Sequence, residues 1–277
     1  VLPSDQAIDI WKKTVIKTFS RKGEKVVNMN LACIDATIKE GAIKEIKYPK
    51  NWASIEEGSF VKMYNKRIER IISAAPEFVK DVMFPATTGR GDELKVSAFR
   101  KGGFMMTGTT QYAKRNIAVQ VPVWQSSTCI QCMLCVTACP HAVLRPYLVN
   151  AEEEEKLAPV IRDQLIPIKN PVVKSKGNFK LAIQASTLDC TGCQVCSQVC
   201  PTREKGTLKM EVTHNVEARE VEKFYSLNDN VSVKTDDWTL DESEKAYQYR
   251  RPLFEYHGAC DGCGETAYIT HVTRLFG

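Results

Sequence analysis

Ten of the eleven cysteines in this chain lie in closely spaced groups built on the pattern Cys-x-x-Cys. Two groups share the spacing C-x2-C-x2-C-x3-C-P, and they are Cys129, Cys132, Cys135 and Cys139, then Cys190, Cys193, Cys196 and Cys200. A third group is the single pair Cys260 and Cys263. Secreted disulfide frameworks spread their cysteines to connect distant loops, so this grouping favours metal ligation in a reducing compartment.

The spacing of the two tetrads is that of bacterial two-cluster ferredoxins. Three cysteines at two-residue intervals can wrap a short loop around three corners of a [4Fe–4S] cluster. The fourth cysteine, followed by a proline that ends local backbone donation, points to the other cluster. We therefore predict cluster A on Cys129, Cys132, Cys135 and Cys200, and cluster B on Cys190, Cys193, Cys196 and Cys139. Two four-thiolate zinc sites are the alternative, although such sites are typically built from separated Cys-x-x-Cys pairs.

The third pair, Cys260 and Cys263, offers only two thiolates, and the remaining Cys33 could add at most one. Either the pair completes a site with residues beyond Gly277, or it is a redox or zinc pair. No general base or nucleophile is evident, so we predict no catalytic residue in this chain. His141, next to the first tetrad, is interpreted as a hydrogen-bonded loop residue or a tuner of a cluster.

An internal repeat organises the middle of the chain, because residues 125–149 resemble residues 186–212 in outline. The segment NIAVQVPVW alternates at Ile117, Val119, Val121 and Val123, which predicts a strand leading into the first tetrad. LAIQAS precedes the second tetrad and LKMEV follows it, and both are strand-like. The stretch 140–189 is predicted to be an insertion outside the core, with Glu152–Glu155 as a solvated helix start.

The residues before the tetrads are predicted to be mainly helical. Apolar periodicity predicts two helices within residues 4–40, with Ser4 as the N-cap, and a third over residues 60–75 that Pro76 ends. Cys33 is predicted to be buried on the second helix. Residues 84–110 are rich in Gly and Thr, which predicts irregular loop with short strands.

Composition excludes several classes of protein. Hydrophobic residues make up 43% and charged residues 26% of the chain, which is typical of a folded globular protein. No apolar run approaches the roughly 18 residues of a membrane-spanning helix, and the N-terminus lacks a signal-peptide pattern. Eight thiolates and two cluster cores would bring the formal charge of +5 close to zero, so the basic balance does not predict a nucleic-acid partner. The chain begins at Val1 rather than Met, so we expect it to derive from a longer one.

The order of motifs resembles the central to late portion of the pyruvate:ferredoxin oxidoreductase family, the large thiamine-diphosphate enzymes of anaerobic metabolism. The motifs are GTTQYAKRNIAVQVPVW, CIQCMLCVTACP, DCTGCQVCSQVCP and GACDGCGET, and the resemblance covers essentially the whole chain. Ala113 departs from the Glu that is usual in the family's YEKR, while Lys114 and Arg115 are kept.

The resemblance implies an α+β fold with a two-[4Fe–4S] ferredoxin-like domain that carries an insertion. A mainly helical segment and a small α/β linker domain would precede this domain, and the truncated start of an α/β domain would follow it. The implied boundaries are a helical tail at 1–50, the linker domain at 51–118, the two-cluster domain at 119–245 and the start of a thiamine-diphosphate domain at 246–277.

The resemblance also implies the function of electron transfer within an enzyme that converts pyruvate to acetyl-CoA and CO2. Electrons would pass from a third cluster through clusters A and B to ferredoxin or flavodoxin. Cys260 and Cys263 would hold part of that third [4Fe–4S] cluster, and Glu265 would contact thiamine diphosphate, which binds with Mg2+ in the full-length enzyme.

Further expectations and alternatives follow from the same resemblance. The partners would be the remaining domains of the enzyme and a second copy in a homodimer, without nucleic acid or membrane. The compartment would be an anaerobic cytoplasm or a hydrogenosome- or mitosome-like organelle. The alternative functions are a stand-alone polyferredoxin and the equivalent part of an oxidoreductase for another 2-oxo acid.

Overall fold

The long helices lie outside the cysteine-rich middle of the chain, where strands and short helices alternate. The structure is a computed structural model and describes residues 3–39, 47, 59–234 and 243–277. The helices are α1 Ser4–Phe19, α2 Glu24–Ile38, α3 Ser59–Ala74, α4 Phe84–Thr87, α5 Leu134–Thr137, α6 Ala151–Lys156, α7 Pro159–Arg162, α8 Pro171–Lys174, α9 Val195–Gln198, α10 Thr213–Asn230 and α11 Thr266–Phe276. The strands are β1 Gln120–Trp124, β2 Leu144–Val149, β3 Ile166–Pro167, β4 Lys180–Ala185 and β5 Leu208–Val212. None of the helices in these ranges is long and apolar enough to span a membrane.

The chain divides into two units, Val1–Glu56 and Glu57–Gly277, and the first contains α1 and α2. Among the described residues of this unit, the buried side chains are Val15, Val27 and Ile34. Gly23 separates the helices at φ +91°, a backbone conformation that residues with a Cβ rarely adopt. The prediction of two helices is thereby confirmed.

Two details of this first unit differ from the prediction. Pro3 is the N-cap of α1 and Ser4 is its first helical residue, so the predicted Ser4 cap is wrong. Cys33 is exposed on α2 rather than buried, because Ile34 occupies the inward position of that turn. Cysteine's general preference for burial did not specify which side of the helix it would take.

In the second unit, α3 confirms the predicted third helix and packs against α10. The guanidinium of Arg67 lies 4.3 Å from the ring centre of Tyr225 and 3.6 Å from the carboxylate of Glu222. Residues 84–110 contain α4 and short 3-10 turns but no strand, so the predicted irregular loop is confirmed and the predicted short strands are wrong.

Two antiparallel sheets surround the cysteine loops. In one sheet β1 pairs with β5, with Trp124 opposite Leu208 and Pro122 opposite Met210. The other sheet has the order β2-β4-β3, with Leu144 opposite Ala185. Each repeat is therefore a strand, a cysteine loop, a short helix and a strand, namely β1–α5–β2 and β4–α9–β5. The outer strands β1 and β5 pair with each other, and so do the inner strands β2 and β4.

The predicted strand before the first tetrad is shorter than its alternation suggested. Val121 and Val123 are buried on β1, whereas Ile117 and Val119 are exposed ahead of the strand. The partner strand β5 ends at Val212, opposite Gln120, so the pairing stops there.

The prediction that residues 140–189 lie outside the core is wrong. β2 and β4 stand at the two ends of this stretch, and Leu181 and Ile183 of β4 are fully buried. The residues between these strands also contribute buried side chains, which are Leu157, Ile161, Ile168 and Val173. The stretch is therefore part of the core that encloses the cysteine loops.

The acidic run Glu152–Glu155 begins a helix as predicted, but Glu153 is not solvated. Its carboxylate accepts hydrogen bonds from Lys234 Nζ at 2.6 Å and from the backbone N–H of Ser232 at 2.9 Å. It also forms a reciprocal capping box with Asn150. Burial raises the pKa of Glu153, but these hydrogen bonds outweigh burial and hold the pKa below its usual value.

We expect Glu153→Gln to destabilise the chain by about 2 kcal/mol at pH 7, because a charge-assisted anchor between α6 and the end of α10 is lost. A carboxylate whose pKa is depressed on folding stabilises above its unfolded pKa of about 4.3 and stops doing so as the pH falls through its folded value. The difference between wild type and variant should therefore disappear in acid. Denaturant titrations at several pH values measure it.

The control is Glu155→Gln, which removes an exposed carboxylate from the same helix. It should leave the free energy of unfolding unchanged within about 0.5 kcal/mol. An equal loss in both variants would mean that the anchoring contacts of Glu153 add nothing to stability.

Candidate metal centres

Four thiols taken from both tetrads surround a cavity that we call site A. The cysteines of this cavity are Cys129, Cys132, Cys135 and Cys200. Apolar side chains complete the wall, and among them are Trp124 of β1, Met133 of the first loop and Ile183 of β4. The fourth cysteine of the second tetrad thus lies with the first three of the first tetrad.

The other four thiols of the tetrads surround a second cavity, which we call site B. Its cysteines are Cys139, Cys190, Cys193 and Cys196. Pro122 of β1, Met210 of β5 and Val143 line part of the remaining wall, and His141 lines it as well. The groups of four brought together are therefore the ones predicted for clusters A and B, while metal ligation at each sulfur stays a prediction.

The two cysteine loops have the same backbone course. Gln131 and Met133 in the first loop, and Gly192 and Gln194 at the matching places in the second, all have φ between +60° and +79°. This course turns backbone N–H groups toward sulfur. Gln131 N–H donates to Cys129 Sγ and Gly192 N–H to Cys190 Sγ, each over 3.4 Å.

A third backbone N–H donates to Cys139, the cysteine of the first tetrad that lines site B. Val143 N–H donates to Cys139 Sγ over 3.4 Å. Hydrogen bonds to thiolate sulfur are one of the means by which proteins tune iron–sulfur clusters.

Burial and repulsion by neighbouring cysteines favour the protonated thiol at three of the most buried cysteines. Burial raises the pKa of Cys135, Cys190 and Cys196, in the case of Cys190 to about 12, and neighbouring cysteines raise it further. Four thiolates in so dry a space need a strongly positive centre, which deprotonates coordinating thiols outright. The donor set therefore fits a thiolate-bound metal cluster.

The thiols surround space rather than converge on a point. Among the residues that the structure describes, no three side chains of His, Cys, Asp or Glu are arranged to hold a single metal ion. A tetrahedral zinc site needs all four sulfurs about 2.3 Å from one centre. The tetrad spacing, which is that of two-cluster ferredoxins, is what favours a polynuclear cluster over one zinc ion in each site.

The third pair lies next to site B. A Cβ placed on Gly262 would stand 3.5 Å from the Cβ of Cys193, and Thr191 Oγ1 donates to Asp261 over 2.6 Å. Hydrogen bonds from the backbone of Glu265 and Thr266, at the start of α11, lower the pKa of Cys263. Cys260 is exposed.

Two buried histidines join the loop of the third pair to site B. The rings of His141 and His257 stack at 4.4 Å, and Phe254 stacks on His257 at 4.8 Å. His257 Nε2 lies 2.6 Å from the carbonyl oxygen of Pro140, directly after Cys139. The expectation that His141 is a hydrogen-bonded loop residue is confirmed, because its Nε2 lies 3.3 Å from the carbonyl oxygen of Ala259.

Glu265 is exposed at the N-cap of α11. Its predicted contact with thiamine diphosphate is not tested by this geometry and stays a prediction.

Sequence reasoning missed the side chains that support the loops from outside. Gln131 donates to the carbonyl of Pro167 and accepts from the N–H of Lys169, both over 2.8 Å. Lys114 forms a buried ion pair with Asp189 over 2.5 Å, directly before Cys190. The family resemblance marks Lys114 as a residue that YAKR shares with YEKR, but it does not indicate an ion pair. Two features of the sequence could have indicated this pair: Asp189 directly precedes the first cysteine of the second tetrad, and Lys114 lies in the motif YAKR.

Comparisons with known proteins agree with this geometry. A family profile described as a 4Fe-4S dicluster domain matches residues 128–203. The chain contains a 4Fe-4S dicluster domain. A second profile, described as a domain of unknown function, matches residues 65–118.

Similarity to whole proteins extends from end to end of the chain. The pyruvate:ferredoxin oxidoreductase of Moorella thermoacetica is 40% identical over 281 residues, which are 100% of this chain and 22% of that protein. The pyruvate-flavodoxin oxidoreductase of a Nostoc species is 35% identical over 289 residues, 100% of this chain and 23% of that protein. The mitochondrial pyruvate dehydrogenase [NADP(+)] of Euglena gracilis is 34% identical over 284 residues, 100% of this chain and 14% of that protein.

The chain is homologous to a segment of these pyruvate oxidoreductases, which are enzymes, and spans less than a quarter of their length. A dicluster domain in such a chain fits a role in electron transfer.

The crossed arrangement predicts the effect of Cys139→Ala. The variant should lose the cluster of site B and keep that of site A, although Cys139 belongs to the first tetrad in sequence. Electron paramagnetic resonance of the reduced protein, with a midpoint potential assigned to each signal, checks this. Cys200→Ala is the matched variant and should do the reverse. Loss of the site A signal in Cys139→Ala, or of the site B signal in Cys200→Ala, would contradict the crossed arrangement.

The close approach of Gly262 to Cys193 predicts that Gly262→Val moves the third pair off site B. A Cβ there would be in ordinary contact with Cys193 at 3.5 Å, but φ +67° is strained for any residue with a side chain and most of all for a β-branched one. Water and oxygen should then reach the cluster of site B, which should bleach several-fold faster in air than in wild type. Gly264→Ala is the control, because its Cβ meets nothing within 4 Å. Equal bleaching in wild type and both variants would mean that the loop does not shield site B.

Proposed function

We propose that the chain is the electron-transfer portion of a pyruvate:ferredoxin oxidoreductase and holds one [4Fe–4S] cluster in each of sites A and B. The observation that carries this proposal is the pair of thiol-lined cavities, each completed by a cysteine from the other tetrad. When bound, such clusters supply reversible one-electron transfer. End-to-end similarity to pyruvate oxidoreductases supports the choice of enzyme.

The chain's own residues bind the clusters and exclude water from them. Eight cysteines would supply the thiolates, and apolar walls from β1, β4 and β5 would keep the dielectric constant low. N–H groups directed at Cys129, Cys139 and Cys190 would set how readily the clusters accept an electron.

The order of the sites supports a direction of electron flow. Cys260 and Cys263 adjoin site B, and site B adjoins site A along the β1–β5 pair. Pro122 and Met210 line site B while Trp124 and Leu208, two residues further on, line site A, a spacing of about 7 Å along a strand. Electrons would enter from the third pair, pass site B and leave from site A.

The third pair would hold part of a third [4Fe–4S] cluster in the full-length enzyme. Its thiol with the lowered pKa, Cys263, is suited to metal binding. Glu265 would contact thiamine diphosphate, bound there with Mg2+. Residues 51–118 would form the linker domain and residues 246–277 the start of the thiamine-diphosphate domain.

Ferredoxin or flavodoxin is the proposed acceptor, because relatives named for each share the segment. A homodimer and the enzyme's remaining domains are the other proposed partners. Since oxygen attacks exposed clusters, we place the protein in an anaerobic cytoplasm or a hydrogenosome- or mitosome-like organelle.

Addition of pyruvate and coenzyme A to the full-length enzyme tests the proposal. With thiamine diphosphate and Mg2+ present, the signals of both clusters should appear within the turnover time. A stand-alone polyferredoxin would stay oxidised with every 2-oxo acid. Reduction by a different 2-oxo acid, with none by pyruvate, would assign the chain to another oxidoreductase of this type.

A metal analysis of the anaerobically purified chain tests the cofactors. Two complete sets of four thiols predict about eight irons and about eight sulfides per chain. About twelve irons per chain would mean that Cys260 and Cys263 belong to a full third site on each chain, and about ten would mean that two copies share one third cluster. Zinc without sulfide would overturn the cluster assignment.

A further inference from the structure

Arg274 carries a buried positive charge that lacks a carboxylate partner. It lies on α11 with 4% of its surface exposed, and its Nη1 donates to Gln248 Oε1 over 2.7 Å. Its Nε and Nη2 have no hydrogen-bond partner among the residues that the structure describes. Removing a charge from water without a compensating partner costs several kcal/mol. A negative group near Arg274 would offset this cost.

The other buried cations in the described ranges each have such a group. Lys114 pairs with Asp189 over 2.5 Å, and Lys223 pairs with Glu220 over 3.1 Å. The half-buried Arg145 pairs with Glu255. Arg274 is therefore the exception, and Gln248, its hydrogen-bond partner, also has a buried Nε2 without an acceptor.

Arg274 stands on the helix that reaches the segment just before Cys139 of site B. His271, one turn earlier on α11, contacts the hydroxyl of Tyr247 over 3.1 Å and adjoins the backbone of Thr137. Thr137 ends α5 two residues before Cys139. This face of α11 consequently packs on the segment that carries the crossing cysteine of site B.

The guanidinium remains charged in this position. Burial lowers the pKa of Arg274 to about 10, Arg145 lowers it as well, and Cys139, Tyr247 and Glu255 act in the opposite direction. Arg274 is thus a cation at neutral pH, and Cys139 is one of the groups that favour its charged form.

We propose that Arg274 provides the counter-charge of site B and, by acting through Cys139, raises the reduction potential of the cluster bound there. The inference rests on the proposed function of site B. A [4Fe–4S] core with four thiolates is an anion, and reduction makes it more negative. A fixed positive charge in a dry interior therefore stabilises the reduced form more than the oxidised form. Arg274 is a positioning residue, since it does not line the cavity.

Arg274→Gln tests the proposal in the full chain, prepared anaerobically with its clusters. Redox titration followed by electron paramagnetic resonance should show a more negative midpoint potential for site B and an unchanged one for site A. Arg274→Lys keeps the charge and should restore the wild-type potential. Arg251→Gln removes an exposed arginine of the segment before α11 and should shift neither potential.

An unchanged potential of site B in Arg274→Gln would overturn this inference alone, whereas a wild-type chain without clusters would overturn the proposed function as well. Arg274→Met fills the same space without charge and serves if the Gln variant fails to retain clusters. Loss of the site B cluster in both neutral variants, with retention in Arg274→Lys, would support the requirement for a positive charge. Loss in Arg274→Lys as well would make the role purely structural and refute the inference.

Discussion

The pairing of the first strand of one repeat with the last strand of the other is the constraint on which the cysteine sites depend. Because β1 pairs with β5 and β2 with β4, neither repeat can form a sheet alone. The pairing brings the end of each short helix beside the loop of the other repeat. Cys139 and Cys200 stand at those two ends, so each site takes its fourth thiol from across the pairing. The two sites must consequently assemble together.

The same arrangement couples metal binding to folding. Burial and neighbouring cysteines raise the pKa of Cys135 in site A and of Cys196 in site B, so these thiols lose solvation and would be repelled by their neighbours when ionised. A cationic core turns this mutual repulsion into ligation. The binding energy of the clusters is therefore available as folding energy, as in other small metal-dependent domains. The left-handed residues Gln131, Met133 and Gln194 show where the backbone accepts strain to direct N–H groups at sulfur.

Local patterns in the sequence were enough to predict those features of the fold that depend on contacts between neighbours in the sequence. The tetrad spacing, the repeat, α1 to α3 and β5 could all be predicted, because each depends on neighbours within a few residues. The errors share a different cause. An acidic run predicts a solvated Glu153, but its partner Lys234 is 81 residues away in the sequence. Charge and proline in the stretch 140–189 predict a position outside the core, although β4 within it lies at the centre of a sheet.

The ion pair between Lys114 and Asp189 bears on how portable the dicluster domain is. Asp189 directly precedes the second tetrad, while Lys114 precedes the first strand of the first repeat. Cutting the chain at the start of β1 would remove Lys114 and leave the carboxylate of Asp189 without its partner. Only 6% of the surface of Asp189 is exposed, and it lies beside the loop that carries Cys190. Removal of one partner from a buried pair typically costs about 3–5 kcal/mol. A portable dicluster domain therefore has to begin before β1, so that it includes Lys114. If only the two cysteine repeats were transferred to another protein, Asp189 would lose the charge that compensates it.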